Sequence, residues 1–473
     1  MVLHDRLLRE VRKAPGGPKV GAFFDVDRTL VAGFSATAFY RERLLSGRMT
    51  PKEMVDTIRG TAGFVLGRTG FSGLIGAATT AYRGLSEKSM QEIGQEVFEK
   101  HLVTSIYPES RALLRAHREK GHTIAIISSA TPYQVDPIAR ELEVEHVMCT
   151  RLEVEDGIFT GEVMRPLCFG EGKREAGELL ATRHDLDLEE SFFYTDSVDD
   201  LPLMEIVGKP CPLNPDRRLA QIAKERGWPV RRFRSRGAPG GEEILRTALA
   251  YGSLLPSFAI GATIGFLNNS KREAFNVAGS MWSDLAMSLS GIDLRVEGEQ
   301  HLWSHRPAIF IFNHQSAIDA VLMMKLVRRD VTGVGKKELQ KDPIMGTLGR
   351  LAGTVFIDRA NSAKAIEALK PAVDALKQGQ SLLIAPEGTR SPTPRLGRFK
   401  KGAFHMAMQA GVPIVPVVFR NALDALPKDG LVMRPSVVEA VVLPPVDTSD
   451  WTRENLDDEI EAIRGAYLEV LEG

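Results

Sequence analysis

Two consecutive α/β domains are what this 473-residue sequence predicts, on three observations. Short apolar runs of β character alternate with helical stretches up to about residue 230 and again from about residue 292, the texture of a parallel sheet covered by helices. A basic, Pro/Gly-rich segment, PVRRFRSRGAPGGEE at residues 229–243, separates the two regions as a linker would. The length also exceeds what one compact core supports, so two or three domains are expected. With 43% hydrophobic and 26% charged residues, the chain is neither largely disordered nor collagen-like. Lys+Arg 60 against Asp+Glu 61 leaves a formal net charge of -1, so no global basic field recruits nucleic acid.

The first domain is expected over residues 1–236, with strands at 22–24, 123–127 and 192–194. The long insertion at about 33–109 has helical patterning and many small residues, and in an α/β domain such an insertion forms a cap over the active-site edge. Residues 237–291 are expected to be linker and membrane-associating helices. Within them, 247–267 carries no formal charge and approaches the roughly 20 residues of a membrane span. Gly252, Pro256, Gly261 and Gly265 weaken that pattern, and the mean hydropathy of -0.11 is that of a soluble chain. The expectation is a helix, or a broken pair with 273–289, that dips into one leaflet. The linker arginines (Arg231, Arg232, Arg234, Arg236) and Lys271-Arg272 would then face anionic headgroups; a buried interdomain helix is the alternative.

The second domain is expected over 292–473, with strands at 308–312, 382–385 and 412–419 and a helix at 363–379. Cys149, Cys168 and Cys211 make no disulfide framework, and none forms a Cys-x-x-Cys pair, which fits a reducing cytoplasm. The N-terminal MVLHDRLLREVRKAPGG lacks the apolar run of a signal peptide.

Two constellations carry chemistry. In FFDVDRTL, Asp25 and Asp27 follow an apolar strand, and residues two apart on extended chain project to one side. Paired carboxylates attract a divalent cation and split their pKa values. A second acidic group, Asp196 and Asp200 in TDSVDDLPLM, also follows an apolar run. Oxygen ligands of this kind suit Mg2+. Between them, IISSATP ends a strand with Ser128 and Ser129, and GEGKRE offers Lys173.

In this order these residues resemble the haloacid dehalogenase superfamily, specifically its phosphoserine-phosphatase-like branch, over roughly residues 18–230 and in all four motifs. The resemblance implies a Rossmann-like domain with a helical cap and a covalent, Mg2+-dependent phosphatase. Asp25 would attack phosphorus to give an aspartyl-phosphate. Asp27 would protonate the leaving oxygen and then activate water. Ser129, favoured over Ser128 because S-A-T-P fits the family form, and Lys173 would hold the phosphoryl oxygens. Asp25, Asp196 and the Asp27 carbonyl would bind Mg2+, supported by Asp200, whose spacing fits better than that of Asp199; Thr29 would orient the loop. Phosphoserine and a lipid phosphate stay open as substrates.

The second constellation begins with NHQSAID, where His314 and Asp319 lie five residues apart. Inside one helix five residues rotate direction by about 140°, so the two meet only if His314 sits in the loop before the helix. An imidazole oriented by a carboxylate is a general base suited to neutral pH. No G-x-S-x-G elbow occurs, so the base is expected to activate a substrate hydroxyl. TVFIDR supplies Arg359, and APEGTRS supplies Glu387, Gly388, Thr389 and Arg390. GVPIVPV adds an apolar strand. The Arg359 and Arg390 guanidinium forks match phosphate oxygens, and Arg395, Arg398, Lys400 and Lys401 add positive potential.

The four blocks in this order resemble the glycerolipid acyltransferases, most closely the 1-acylglycerol-3-phosphate acyltransferases, over roughly residues 250–460. The resemblance implies that His314, fixed by Asp319, deprotonates a glycerol hydroxyl, which attacks the thioester of acyl-CoA or acyl-carrier protein. Arg359 and Arg390 would grip the acceptor phosphate, with Glu387, Gly388 and Thr389 shaping that site, and a helical anchor would precede the His block.

The expected protein is therefore bifunctional, a lysophosphatidic acid acyltransferase and a phosphomonoesterase. It would sit on the cytoplasmic face of the cell membrane, peripheral or monotopic, without nucleic acid. The alternatives are a phosphatase acting on a soluble substrate such as phosphoserine, and an inactive membrane scaffold.

Overall fold

Five strands of the N-terminal half pair into one all-parallel sheet. They are β1 (Val20–Phe24), β2 (Thr123–Ser128), β3 (His146–Cys149), β6 (Asp187–Thr195) and β7 (Lys209–Pro212), in the order β3-β2-β1-β6-β7. This is a computed structural model describing residues 2–49, 55, 76, 79–80, 82–233, 235–336, 354–357, 362–428 and 430–472. It divides into two units, Met1–Ala238 and Pro239–Gly473.

All five residues of β1 are buried, as a central parallel strand requires. Ala22 and Phe24 join one hydrophobic core while Phe23 joins another with Ile127 and Phe193, so the period-2 alternation fills both faces. Phe24 pairs with Ile126 of β2 and with Tyr194 of β6. The carboxyl ends of β2, β1 and β6 therefore finish side by side, the edge where open α/β sheets bind ligands.

The described part of the 33–109 insertion is helical: Ser35–Leu45, then Glu87–Val97 continuing through a π-turn at Phe98–Leu102. Most of residues 50–81 lies outside the described residues. A small antiparallel hairpin, β4 (Leu152–Glu155) and β5 (Ile158–Val163), bridges back to the insertion through Ser86 and Ile158. Its turn is Asp156-Gly157, both at positive φ and following the alternation of Leu152 and Val154, a hairpin signal that the sequence reading passed over.

The second unit holds β8 (Ile292–Glu297), β9 (Ile309–Phe312), β10 (Val331–Lys336), β11 (Val355–Ile357), β12 (Ser381–Ile384), β13 (Ile414–Phe419) and β14 (Ser436–Val442). Their order is β11-β10-β12-β9-β13-β14-β8, parallel throughout except for the β13–β14 pair. Ile309 and Ile311 of β9 enter one core, Phe310 and Phe312 the other. Asn313, just past β9, fastens it to β13: Nδ2 donates to the Phe419 carbonyl at 2.8 Å and Oδ1 accepts from the Phe419 N–H at 2.7 Å. The α/β expectation holds in both units.

Before this sheet come helices Gly241–Gly252, Leu254–Leu267 and Lys271–Ser290. The last two form a hairpin packed through small residues. A Cβ on Gly261 would lie 2.7 Å from the Ala278 Cβ, and one on Gly265 only 2.4 Å from the Ala274 Cβ. These glycines, expected to weaken an apolar helix, are where its neighbour packs. One of the charges expected to face headgroups, Arg231, needs correction. Arg231 is buried at 7% exposure and pairs with Glu10, while Arg272 pairs with Asp330 and donates to the Gly379 carbonyl. Both had local sequence partners in view only as neighbours of an apolar run, whereas their ion-pair partners are far along the chain. Arg234 lies outside the described residues.

Candidate active sites

At the first sheet edge, Lys173 is the hub. It leaves the first turn of helix Glu171–His184, and its Nζ donates to Asp25 Oδ1 at 2.9 Å and to Asp200 Oδ2 at 2.8 Å. Burial alone lowers an ammonium pKa, but the Asp200 and Asp25 carboxylates outweigh it and raise that of Lys173. Thr195, the last residue of β6, donates its hydroxyl to the same Asp200 oxygen. Asp200, reached through a 3-10 turn at Val198–Asp200, thus holds both the lysine and Thr195 through one oxygen, from a buried position. Asp199 is exposed beside Ser197.

Asp27 Oδ1 accepts the Ser35 N–H at 2.7 Å, which ties the acid to the start of the insertion. Burial raises its pKa against that hydrogen bond. Burial also lifts Asp25 to about 6 against the pull of Lys173, and Asp196 to about 8, helped by the Asp25 charge and opposed by Arg28. Ser128 is buried and its Oγ accepts the Ala130 N–H, while Ser129 is half-buried at the strand end. Thr29 is buried, and its carbonyl accepts the Ser110 hydroxyl at 2.6 Å, so the loop is pinned to helix Pro108–Glu119.

One residue escaped the sequence reading. Arg28, inside the Asp-x-Asp-x-Thr run, has φ +56° and sets its Nη1 3.0 Å from Asp196 Oδ2. It is clasped by Asn214: Arg28 Nη2 donates to the Asn214 carbonyl at 2.9 Å, and Asn214 Nδ2 donates to the Arg28 carbonyl at 2.7 Å. A non-glycine residue in the left-handed region is a local cost repaid by such partners.

Among the described residues no group of three His, Cys, Asp or Glu side chains forms a metal cage. Asp25 and Asp196 each keep one carboxylate oxygen outside the Lys173 and Arg28 pairs, and burial is the main cause of their raised pKa values. Two carboxylates with water and substrate oxygens make the shell that Mg2+ takes, so the donor set fits that ion.

In the second unit, β9 delivers Asn313-His314 to its carboxyl end, and helix Asp319–Val327 begins at the predicted carboxylate. His314 therefore lies in the connecting loop, and its Nδ1 meets Asp319 Oδ2 at 2.9 Å. That oxygen also accepts the N–H groups of Gln315 at 2.8 Å and Ser316 at 2.9 Å. Asp319 is fully buried, which raises its pKa against these bonds. No hydrogen bond reaches the other ring nitrogen of His314 among the described residues, and the side chain is 27% exposed.

Glu387 follows β12 and has both oxygens engaged: Oε1 accepts the His314 N–H at 2.7 Å, Oε2 the Gly397 N–H at 2.8 Å. It is a fastener between two loops. Burial raises its pKa. Gly388 has φ +76°, Thr389 is exposed, and Arg390 donates Nη1 to the Lys428 carbonyl. The structure brings His314, Asp319 and Glu387 together; Arg359 lies outside the described residues.

Residues 22–205 match the family model for haloacid dehalogenase-like hydrolases, and 293–420 the model for acyltransferases. A 1-acyl-sn-glycerol-3-phosphate acyltransferase of Limnanthes douglasii is 38% identical over 197 residues, covering 41% of this chain and 69% of that protein. The phosphoserine phosphatase SerB1 of Mycobacterium tuberculosis is 34% identical over 262 residues, 54% of this chain and 81% of that one. The solved 1-acyl-sn-glycerophosphate acyltransferase PlsC of Thermotoga maritima is 26% identical, with 48% of this chain and 95% of that chain covered and a TM-score of 0.42.

The chain is an enzyme in which a hydrolase unit precedes an acyl-transferring unit. It belongs to the haloacid dehalogenase-like hydrolases through its N-terminal half, and to the 1-acylglycerol-3-phosphate acyltransferase family through its C-terminal half.

Proposed function

We propose that this protein acylates the free hydroxyl of a 1-acylglycerol-3-phosphate and also hydrolyses a phosphomonoester, a lipid phosphate foremost. The observation that carries the reading is the His314 Nδ1–Asp319 contact of 2.9 Å at a sheet edge, beside a loop that Glu387 holds. His314 Nε2 takes the proton of the acceptor hydroxyl as its oxygen attacks the thioester carbonyl. The C–S bond then breaks, and the thiolate recovers that proton. Asp319 fixes the tautomer and offsets the imidazolium charge. Arg390 and Arg359 hold the acceptor phosphate.

In the other unit, an Asp25 oxygen attacks phosphorus while the bond to the leaving oxygen breaks and Asp27 supplies its proton. Asp27 then takes a proton from water as that water attacks phosphorus, which frees inorganic phosphate and restores Asp25. Its raised pKa supports proton storage between the two steps. Lys173 and Ser129 bind the phosphoryl oxygens. Mg2+, when held by Asp25, Asp196 and the Asp27 carbonyl, offsets phosphoryl charge.

The helical stretch Gly241–Leu267, 27 residues, is long and apolar enough by composition to cross a membrane, and 28% of its most apolar window is buried. Phe266, Leu255 and Leu267 are 86%, 77% and 74% exposed, which supports a monotopic seat on the cytoplasmic membrane face.

The test supplies a labelled acyl thioester, from CoA or from acyl-carrier protein, with lysophosphatidic acid and Mg2+, and follows the products by mass spectrometry. Label in phosphatidic acid is expected, with later loss of its phosphate. The name of the mycobacterial relative favours a second reading, in which the phosphatase acts on phosphoserine. Phosphate release from phosphoserine but from neither lipid would select it. Turnover of no substrate would leave only a scaffold.

A further inference from the structure

The acyltransferase loop holds a second cation besides Arg390. Lys400 precedes helix Gly402–Ala410, and its backbone N–H donates to the Pro386 carbonyl at 2.8 Å, stitching it to the loop after β12. Its side chain then runs across Gly388. A Cβ on that glycine would lie 2.8 Å from Lys400 Nζ and 3.1 Å from both Cδ and Cε. Gly388 also has φ +76°, and it is this left-handed backbone that calls for glycine there. The residue before it, Glu387, grips the His314 N–H at 2.7 Å. Lys400, Gly388, Glu387 and the base therefore form one continuous string of contacts.

The adjacent lysine behaves differently. Lys401 turns to Asp457, with Nζ 2.6 Å from Oδ1. Among the described residues Lys400 has no such carboxylate partner. An ammonium led over a glycine by its backbone, without a carboxylate partner among the described residues and tied to the loop of the base, is placed for an anion.

We infer that Lys400 binds the phosphate monoester of the acceptor and completes the anion cradle with Arg390. The inference rests on the acyltransferase reading above. Two sources offer phosphate at this site, the acceptor and the CoA of the donor. The acceptor is favoured because its phosphate lies only a few bonds from the hydroxyl that His314 must reach.

Steady-state kinetics of the full-length protein, with each substrate varied in turn, test this. Lys400→Ala should raise KM for lysophosphatidic acid about tenfold or more, with KM for acyl-CoA changed by less than about twofold. Lys400→Arg should recover most of the loss. Lys377→Ala, at the exposed end of helix Ser362–Lys377, removes the same charge and should leave the acceptor KM unchanged. With monoacylglycerol, which lacks the phosphate, Lys400→Ala and the parent protein should give equal residual rates. An unchanged acceptor KM overturns the inference, as does a rise confined to acyl-CoA or an equal loss with monoacylglycerol. Absence of acyl transfer by the parent protein would instead overturn the reading beneath it.

Discussion

Asp319 shows how much one buried carboxylate is asked to do. Its Oδ2 accepts from His314 Nδ1 and from two backbone N–H groups, so it shapes the loop and sets the ring tautomer together. Asp319→Asn keeps the size, but its amide must either lose the imidazole bond or turn an N–H toward donors. We expect kcat for acyl transfer to fall by about 10²–10⁴-fold, with circular dichroism unchanged and acceptor KM little altered. A kcat within threefold of the parent, roughly 0.7 kcal/mol, would refute the role. At this scale the motif residues were legible because base and orienter lie five positions apart, within one loop. Arg28 and Asn214 were not, since their clasp joins positions 186 apart in sequence. The double duty of Glu387 was equally hidden, because nothing in APEGTRS tells that both its oxygens are spent on backbone N–H groups.

Between elements, two contacts set expectations. Helix Pro108–Glu119 meets β6 through a buried chain: His117 Nε2 to the Tyr194 hydroxyl at 2.9 Å, His117 Nδ1 to His122 Nδ1 at 2.8 Å, and His122 Nε2 to the Pro15 carbonyl at 2.8 Å. The carbonyl can only accept, so His122 carries its proton on Nε2, His117 on Nδ1, and Tyr194 donates to His117. A proton added to His122 Nδ1 would face the His117 N–H, and one added to His117 Nε2 would take the place of the bond donated by Tyr194. Burial, with the neighbouring His122 and Lys209, lowers His117 to about 3, against about 6.5 unfolded. Between these values the unfolded chain binds the extra proton, so stability declines as pH falls below about 6.5, by up to about 1.4 kcal/mol per pH unit. Urea unfolding from pH 7.5 to 5 should show this slope, flattened in His117→Gln; identical slopes would refute it.

The second contact is the apolar hairpin. Gly265→Leu would drive a side chain into Ala274 and the Ser270 carbonyl, which lie 2.4 Å and 2.9 Å from where its Cβ must sit. Helices Leu254–Leu267 and Lys271–Ser290 should splay, and flotation with anionic vesicles should drop severalfold while phosphatase activity persists. Undiminished flotation would separate membrane contact from this hairpin. The hairpin's existence was readable from its apolar run. Its packing was not, since a glycine reads the same whether it breaks a helix or admits a neighbour.

At the scale of the whole chain, the contacts divide the protein into Met1–Ala238 and Pro239–Gly473. Strand order was beyond reach, because β8 and β14 join the second sheet through pairings that local pattern does not encode. Each unit carries its own proposed base or nucleophile on its own sheet edge, and the two proposed sets have no residue in common. The two chemistries should therefore be separable by single substitutions in the intact protein. Asp25→Asn removes the nucleophile and should abolish phosphate release, while acyl transfer stays within about twofold. His314→Ala should do the reverse, ending thiol release from acyl-CoA. Given both substrates, the parent protein should carry label through phosphatidic acid to diacylglycerol, and Asp25→Asn should stop at phosphatidic acid. Diacylglycerol from that variant would mean the phosphate leaves by a route independent of Asp25, and phosphatidic acid from His314→Ala would mean another group deprotonates the acceptor.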